Sequence, residues 1–156
     1  MSVSAYDIAK RLVGLREIEG AQHQPFIQWA LTLCGYSPDS PDEIPWCSAF
    51  VNAVALLAGC RMTHSAAARS WLRVGEAIDP VDAHSGWDVV VLSRGPEPQP
   101  GPGVILAPGH VGFFAGWIGV YPDRAAEFRL LGGNQSDRVS FEVFPRSRIL
   151  GVRRLR

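Results

Sequence analysis

The sequence predicts an α+β fold in which N-terminal helices pack on one side of a single antiparallel β-sheet. Helical patterns lie before Gly75, and short apolar or alternating segments typical of strands follow it. In α+β domains, a group of helices and a group of strands follow one another along the chain, whereas in βαβ units helices and strands alternate. We therefore expect one domain that spans residues 1–156.

Each helix is predicted from its boundary residues and its apolar face. Ser4 is a suitable N-cap for the first helix, Pro25 occupies the first turn of the second, and Gly59 closes the third after an apolar run that begins at Cys47. The predicted helices span residues 5–15, 25–33, 47–58 and 66–72.

The strands are predicted from short apolar or alternating runs bounded by turn residues. Residues 94–103 alternate Pro and Gly and therefore form a surface loop. We interpret this loop as part of one domain, because the strands on either side are too short and apolar to stand alone. The predicted strands span residues 89–92, 110–115, 128–131, 139–144 and 149–153.

Composition narrows the classes of function. The chain has 156 residues, 47% of them hydrophobic, and a formal net charge of zero. This length suits one full-sized core, and the neutral charge gives no bulk attraction for nucleic acid or an anionic membrane. The basic C-terminal segment, residues 146–156, alternates Arg with apolar residues and is interpreted as a strand with one solvated face.

The N-terminal segment and the number of cysteines indicate where in the cell the protein is made. Residues 1–15 are amphipathic and charged, which is not the pattern of a secretory signal, and no segment has the length of a membrane span. We expect synthesis in the cytoplasm, with action on a target after release or delivery. Cys34, Cys47 and Cys60 are odd in number and lack CxxC spacing, so neither a disulfide framework nor a structural metal is expected.

Cys47 is the candidate nucleophile because it falls in the first turn of an apolar helix. Free backbone N–H groups and the helix dipole stabilise a thiolate at that position, and a cysteine nucleophile acts as the thiolate. The alternative is a buried cysteine that acts only as a small apolar residue.

His110 is the candidate base, since it begins an apolar strand directly after Pro108-Gly109. A core histidine bonded to a backbone carbonyl is the alternative. Asn134, with Gln135 second, is the candidate to orient the imidazole, because an amide oxygen can accept the ring N–H. The alternative for residues 132–134 is a hairpin turn, and both interpretations can hold together.

The remaining histidines and the acidic loop are weaker candidates. His64 is expected to cap a helix or to lie on the surface, and His23 and His84 are expected to be solvated. The loop that carries Asp39, Asp42 and Glu43 could hold calcium, but it lacks the EF-hand pattern, and a solvated acidic loop is favoured. No metal or cofactor is expected.

Five segments in order resemble the CHAP-like and NlpC/P60-like cysteine peptidases that cut peptidoglycan, in particular a group of small single-domain phage and bacterial proteins. The Trp-Cys helix start and the Gly-His-Val strand are specific as a pair. The matching segments are residues 17–20, 42–52, 68–72, 109–113 and 131–135.

The resemblance implies a papain-like core with Cys47 as nucleophile, His110 as base, and Asn134 or Gln135 as the orienting residue. Trp46, Arg69 and Trp71 are candidates to line the substrate groove. The alternative is core packing for the two tryptophans, favoured at Trp71, and a surface salt bridge for Arg69.

The expected function is peptidoglycan hydrolysis by a cysteine amidase or endopeptidase that acts as a phage endolysin or an antibacterial effector. The expected partner is bacterial peptidoglycan, the expected oligomeric state is a monomer, and the expected genetic context is a holin or an immunity protein. The alternatives are a cysteine deamidase or acyltransferase on the same scaffold, and an inactive wall-binding domain.

Overall fold

The computed structural model describes residues 3–156 and confirms the α+β class, with a single six-stranded antiparallel sheet. Turns of 3₁₀-helix lie at Ala68–Arg73, Pro80–Asp82 and Arg146–Arg148. The helices are α1 (Ala5–Arg11), α2 (Pro25–Thr32) and α3 (Cys47–Leu57), and the strands are β1 (Glu76–Ile78), β2 (Asp88–Ser93), β3 (Gly109–Trp117), β4 (Glu127–Gln135), β5 (Arg138–Pro145) and β6 (Ile149–Arg154).

Helix α1 begins where the sequence indicates and ends earlier. Ser4 Oγ accepts a hydrogen bond from the Asp7 backbone N–H (3.1 Å), and the Asp7 carboxylate accepts from the Ser4 N–H (3.1 Å), which forms a capping box. The helix stops at Arg11, because the following segment pairs with the edge of the sheet. There Gly14 donates to the Val139 carbonyl (2.9 Å).

Two other elements differ from the sequence-based prediction. The helix expected over residues 66–72 is the 3₁₀ turn Ala68–Arg73, and β1, which pairs with β6, was not predicted. Three residues are too few for an alternation to be recognised in the sequence. Within residues 3–156, none of the helices combines the length and apolar character needed to cross a bilayer.

The sheet has the strand order β1-β6-β2-β3-β4-β5, in which every neighbouring pair is antiparallel. Strands β2 to β5 form a meander, and β6 returns to pair with β2. Every residue of β2 is buried, with Val89 and Val91 in the core on one face and Val90 and Leu92 in the core on the other. The sheet therefore carries two cores.

The helices pack against the face of the sheet that carries Val89 and Val91, and the start of α3 lies in close contact with β4 on this face. A Cβ atom at Gly133 would lie 2.6 Å from Trp46 Cζ3 and 2.7 Å from Phe50 Cβ, so only glycine admits the start of α3 here. The opposite face, which carries Val90 and Leu92, is covered by aromatic side chains that include Phe114, Phe128 and Phe144.

Candidate active site

Helix α3 presents Cys47 at its first position. Trp46 precedes the helix without a side-chain hydrogen bond to its end, and the first helical hydrogen bond runs from Phe50 N–H to the Trp46 carbonyl (2.9 Å). The N–H groups of the first turn therefore have no partner within the helix. Two of them, from Cys47 and Ser48, lie against the Cys47 thiol and favour its ionised form.

The Cys47 thiol lies in the core on the helix side of the sheet, next to Val111 of β3. Burial, with only 5% of Cys47 exposed, raises the pKa of its thiol. The backbone N–H of Val111, those of the helix start and the charge of Arg94 act in the opposite direction without overcoming burial. Cys47 is therefore a neutral thiol at pH 7 in the resting protein. All three cysteines are free.

His110 lies at the start of β3, before β3 pairs with β4, a pairing that begins at Phe113 opposite Leu131. Only 6% of the residue is exposed, and its ring packs against Phe144 at a centroid distance of 5.6 Å. His110 Nε2 lies 2.9 Å from Gln135 Oε1. The imidazole is thus held by an amide side chain from the neighbouring strand.

Hydrogen bonds around Gln135 determine which imidazole nitrogen carries the proton. Gln135 Nε2 donates to the Ser140 carbonyl (2.7 Å), which can only accept. The amide oxygen of Gln135 therefore faces His110, so that His110 Nε2 is the donor and Nδ1 keeps its lone pair. Among residues 3–156, Nδ1 has no hydrogen-bond partner, and no hydrogen bond joins it to Cys47.

The expectation that Asn134 orients the imidazole is wrong in this geometry, since Gln135 makes the contact. The physical reason is a bulge: the β4–β5 register shifts between Gly132 and Gln135, and Asn134 takes a φ of +56° within it. The hairpin turn that was the alternative interpretation of residues 132–134 lies instead at Ser136 and Asp137, whose φ angles of +52° and +60° fit a two-residue turn of type I′.

The electrostatics of the site keep the imidazole neutral. Burial lowers the pKa of His110 to about 4, the hydrogen bond to Gln135 opposes that shift, and the charges of Arg94 and Arg148 add to it. A histidine with this pKa is unprotonated at pH 7. The resting site thus consists of a neutral thiol and a neutral imidazole whose Nδ1 can accept a proton.

A cleft of about 230 Å³ opens beside His110. Sequence reasoning missed five residues that line it, because they lie on a loop, in the β4–β5 turn, on an edge strand and in a 3₁₀ turn whose positions depend on the tertiary fold. The strand-like alternation of residues 139–144 was the only signal, since it puts positions 142 and 144 on one face. The five residues are Arg94, Ser136, Glu142, Phe144 and Arg148.

Arg69 is neither in a groove nor in a surface salt bridge, which corrects both expectations. The side chain is fully buried, and its guanidinium donates to the carbonyls of Pro100 (2.9 Å), Gly101 (2.9 Å) and Pro108 (3.1 Å) and to Gln99 Oε1 (3.2 Å). Arg69 therefore fixes the Pro- and Gly-rich loop that leads into β3.

Trp46 and Trp71 are core residues, so the expectation that they line a groove is wrong and the alternative is confirmed. Trp46 is 1% exposed and donates from Nε1 to Glu17 (2.9 Å). Trp71 is fully buried and donates from Nε1 to Ser48 Oγ (3.0 Å). Both indole N–H groups are satisfied inside the protein, as expected for buried tryptophan.

The acidic loop before α3 is not solvated at Asp42, contrary to expectation. Asp42 is fully buried and accepts from the N–H groups of Ile18 (3.0 Å) and Gln24 (2.7 Å), while His23 Nδ1 lies 3.1 Å away. Ligand atoms of His23, Asp42 and Glu43 lie within 4.8 Å of one another. Both oxygens of Asp42 lie within hydrogen-bond distance of groups on residues 18–24, so this carboxylate holds the 17–24 loop against the segment before Cys47.

The structure places His64 and His84 on the exposed surface.

A second, larger groove of about 860 Å³ lies on the other side of the β4–β5 turn. Residues 14–20 form one wall, and Ser136, Asp137 and Arg138 form the other. Because Ser136 also lines the cleft beside His110, the hairpin turn separates two adjacent depressions.

Comparison with known proteins adds nothing to this geometry. Neither a protein-family model nor a curated protein matches the chain. The function must therefore be inferred from the site and from the residues that compose it.

Proposed function

We propose that this protein is a papain-like cysteine hydrolase that cleaves an amide bond in the peptide of peptidoglycan. The observation that carries the proposal is the 2.9 Å contact between His110 Nε2 and Gln135 Oε1. It leaves Nδ1 as the basic nitrogen, one residue along β3 from the Val111 N–H that lies against the Cys47 thiol. A thiol, a base and an orienting amide are the components of a Cys-His-Asn site, with Gln in place of Asn.

The first half of the proposed reaction forms an acyl-enzyme. Cys47 transfers its proton to His110 Nδ1, and the thiolate attacks the carbonyl carbon of the amide. N–H groups at the start of α3, including that of Cys47, stabilise the oxyanion. When the C–N bond breaks, His110 returns the proton to the leaving amine, and a thioester on Cys47 remains.

The second half releases the product. A water molecule gives a proton to His110 Nδ1 and attacks the thioester carbonyl, and the departing Cys47 sulfur takes that proton back. The acid product leaves, and the neutral thiol and imidazole are restored. Gln135 supports both halves, because its amide oxygen keeps Nε2 protonated and Nδ1 available.

The neutral resting state fits a proton transfer that substrate binding completes. Cys47 and His110 share no hydrogen bond in residues 3–156, and catalytic hydrogen bonds are often long before substrate binds. A substrate carbonyl at the start of α3 would take over the N–H groups that now face the thiol. We expect substrate binding to bring the Cys47 thiol and His110 Nδ1 within hydrogen-bond distance.

Peptidoglycan is proposed as the substrate because the five segments that resemble CHAP-like and NlpC/P60-like peptidases include these site residues. Cys47 lies in residues 42–52, His110 in 109–113 and Gln135 in 131–135. Both an amidase and an endopeptidase use this chemistry. Delivery as a phage endolysin or as an antibacterial effector is compatible with either.

The proposal is tested by digestion of purified peptidoglycan, with mass spectrometry of the released fragments. The wild type should release fragments whose masses identify the cleaved bond, and Cys47→Ala should lower the rate at least about 10³-fold while it keeps a normal thermal melt. Cys34→Ala is the matched control, because Cys34 is another free cysteine but does not lie at the start of α3. Neither cysteine lines the cleft beside His110.

No release from Gram-negative or Gram-positive peptidoglycan by a folded wild type would refute the proposed substrate. Equal rates for wild type and Cys47→Ala would refute thiol catalysis. A new deamidated or acylated protein, found by mass spectrometry after incubation with a bacterial extract, would favour the deamidase or acyltransferase alternative.

A further inference from the structure

Two arginines stand beside His110 without a carboxylate partner. Arg94 follows the end of β2 and is exposed, and Arg148 lies in the 3₁₀ turn before β6. Both line the cleft of about 230 Å³. Among residues 3–156, neither forms a salt bridge, and Arg94 makes no hydrogen bond.

The local structure brings the two like charges together. Arg148 is fixed in place, since its Nε and one terminal nitrogen donate to the Ser93 carbonyl (3.0 and 2.8 Å) and its guanidinium lies 5.1 Å from the centre of the Phe144 ring. Burial and the charge of Arg94 both lower the pKa of Arg148. Two cations that repel each other in a half-enclosed space form a site that an anion would stabilise.

Glu142 limits the charge of the anion that fits. Its carboxylate also lines the cleft and accepts from Ser136 Oγ (3.2 Å), and it lies farther than the 4 Å salt-bridge distance from both arginines. Two arginines and one glutamate leave one net positive charge. That balance favours an anion of single charge, such as a carboxylate, over a doubly charged phosphate group.

We propose that Arg94 and Arg148 bind a carboxylate of the substrate, so that the preferred substrate is a peptide with a free carboxylate close to the amide that is cut. The inference rests on the proposed function for the identity of the peptide, but the anion site itself does not require catalysis. The fork of guanidinium donors suits two carboxylate oxygens. Peptidoglycan stem peptides carry free carboxylates that some bacteria convert to carboxamides, so this site would select between the two chemical forms.

The first experiment measures binding by calorimetry to the full chain that carries Cys47→Ala, which prevents turnover. The probes are a synthetic stem peptide with free carboxylates and the same peptide with carboxamides. The carboxylate form should bind about tenfold more tightly. Arg94→Gln and Arg148→Gln should each remove most of this preference.

The matched control is Arg124→Gln, which makes the same charge change in an exposed turn at the far end of β3, where Arg124 is 80% exposed. It should keep the tenfold preference. Arg94→Gln is the decisive variant, because Arg94 makes no hydrogen bond in residues 3–156 and its loss should leave the melting temperature unchanged. Equal affinity of the unmodified site for both peptides would overturn the proposal.

The second experiment separates this proposal from the proposed function. The imidazole of His110 is titrated by NMR with and without trifluoroacetate, and with dimethyl phosphate for comparison, because both probes stay singly charged at the pH where His110 titrates. Trifluoroacetate should raise the midpoint in the wild type, because it offsets the two charges that disfavour imidazolium, and should have less effect in Arg94→Gln.

A trifluoroacetate effect that depends on Arg94 supports the anion site even if no peptidoglycan is cleaved. Absence of this effect, together with equal peptide affinities, overturns the anion site even if peptidoglycan is cleaved. A larger effect of dimethyl phosphate than of trifluoroacetate would overturn the assignment to carboxylates.

Discussion

Two polar clusters flank the start of α3, and they differ in how completely their atoms are paired. On one side, Asn52 donates to the Ser48 carbonyl (2.9 Å) and to Thr63 Oγ1 (3.1 Å), and its oxygen accepts from the N–H groups of Thr63 (2.9 Å) and His64 (3.0 Å). Ser48 Oγ in turn donates to the Ser65 carbonyl (2.6 Å). Every polar atom of the Asn52 side chain has a partner.

The cluster around His110 is only partly paired. His110 Nε2 is bonded to Gln135, but Nδ1 has no partner in residues 3–156, and the thiol of Cys47 lies against N–H groups that could serve another acceptor. Buried polar groups are normally satisfied. The Asn52 cluster is therefore fully paired within the fold, whereas the His110 cluster leaves a ring nitrogen without a partner in residues 3–156, as the proposed catalytic role requires.

The largest expected effect on stability is in the fully paired cluster. Asn52→Ala removes a fully buried amide that donates to Ser48 and Thr63 and accepts from the N–H groups of Thr63 and His64, and we expect the loss of these hydrogen bonds to lower the free energy of unfolding by about 3 to 4 kcal/mol. Urea denaturation at pH 7 measures this loss. A loss below about 1 kcal/mol would show that water replaces the side chain, and the two clusters would then not differ in kind.

The next effect is the pH dependence of stability, which reports on the buried imidazole. The His110 pKa of about 4 in the folded state lies below its ordinary value of 6.5, so the unfolded chain binds more protons between these values. The His110 contribution is therefore complete above about pH 6.5, and about 3 kcal/mol of it is lost as the pH falls through 4. Urea denaturation across this range measures the loss.

His110→Gln is the control, since it removes the titrating group and keeps a polar side chain near Gln135. This variant should lose less stability between pH 7 and pH 4 than the wild type does. The same loss in both proteins would mean that other groups, such as the buried Asp42 carboxylate, account for the acid sensitivity.

The smallest of these effects distinguishes two neighbouring amides. Gln135→Ala should lower kcat on peptidoglycan fragments about 10²-fold, because the imidazole loses the acceptor that holds its tautomer. Asn134→Ala should change kcat less than about threefold, since Asn134 makes no hydrogen bond to His110. The reverse order of effects would mean that the bulge in β4 rearranges when substrate binds.

Local patterns predicted the helix starts and most of the strands correctly. The Ser4 cap, Pro25 in the first turn and the apolar run after Cys47 are signals within a few residues, and α1, α2 and α3 begin where they indicate. The buried runs that became β2 and β3 were also recognised. Element ends were less accurate, because α1 stops where the chain meets the sheet edge and β4 extends past residue 131 to Gln135.

Contacts between distant segments decided the roles of single side chains. Arg69 was expected in a groove or a surface pair, and only the fold brings the carbonyls of residues 100–108 around it. Asp42 was expected in solvent, and only the return of residues 18–24 buries it. Their residue types gave no indication of either environment.

By itself, the sequence determined the fold class and the identity of the candidate nucleophile and base, because hydrophobic period, helix caps and residue chemistry are local properties. Tertiary structure decided that Gln135 orients His110, that the resting thiol and imidazole are neutral, and that Arg94 and Arg148 face the cleft. These features depend on a strand bulge, on burial and on charges from separate loops. Such quantities arise only when segments far apart in the chain come together.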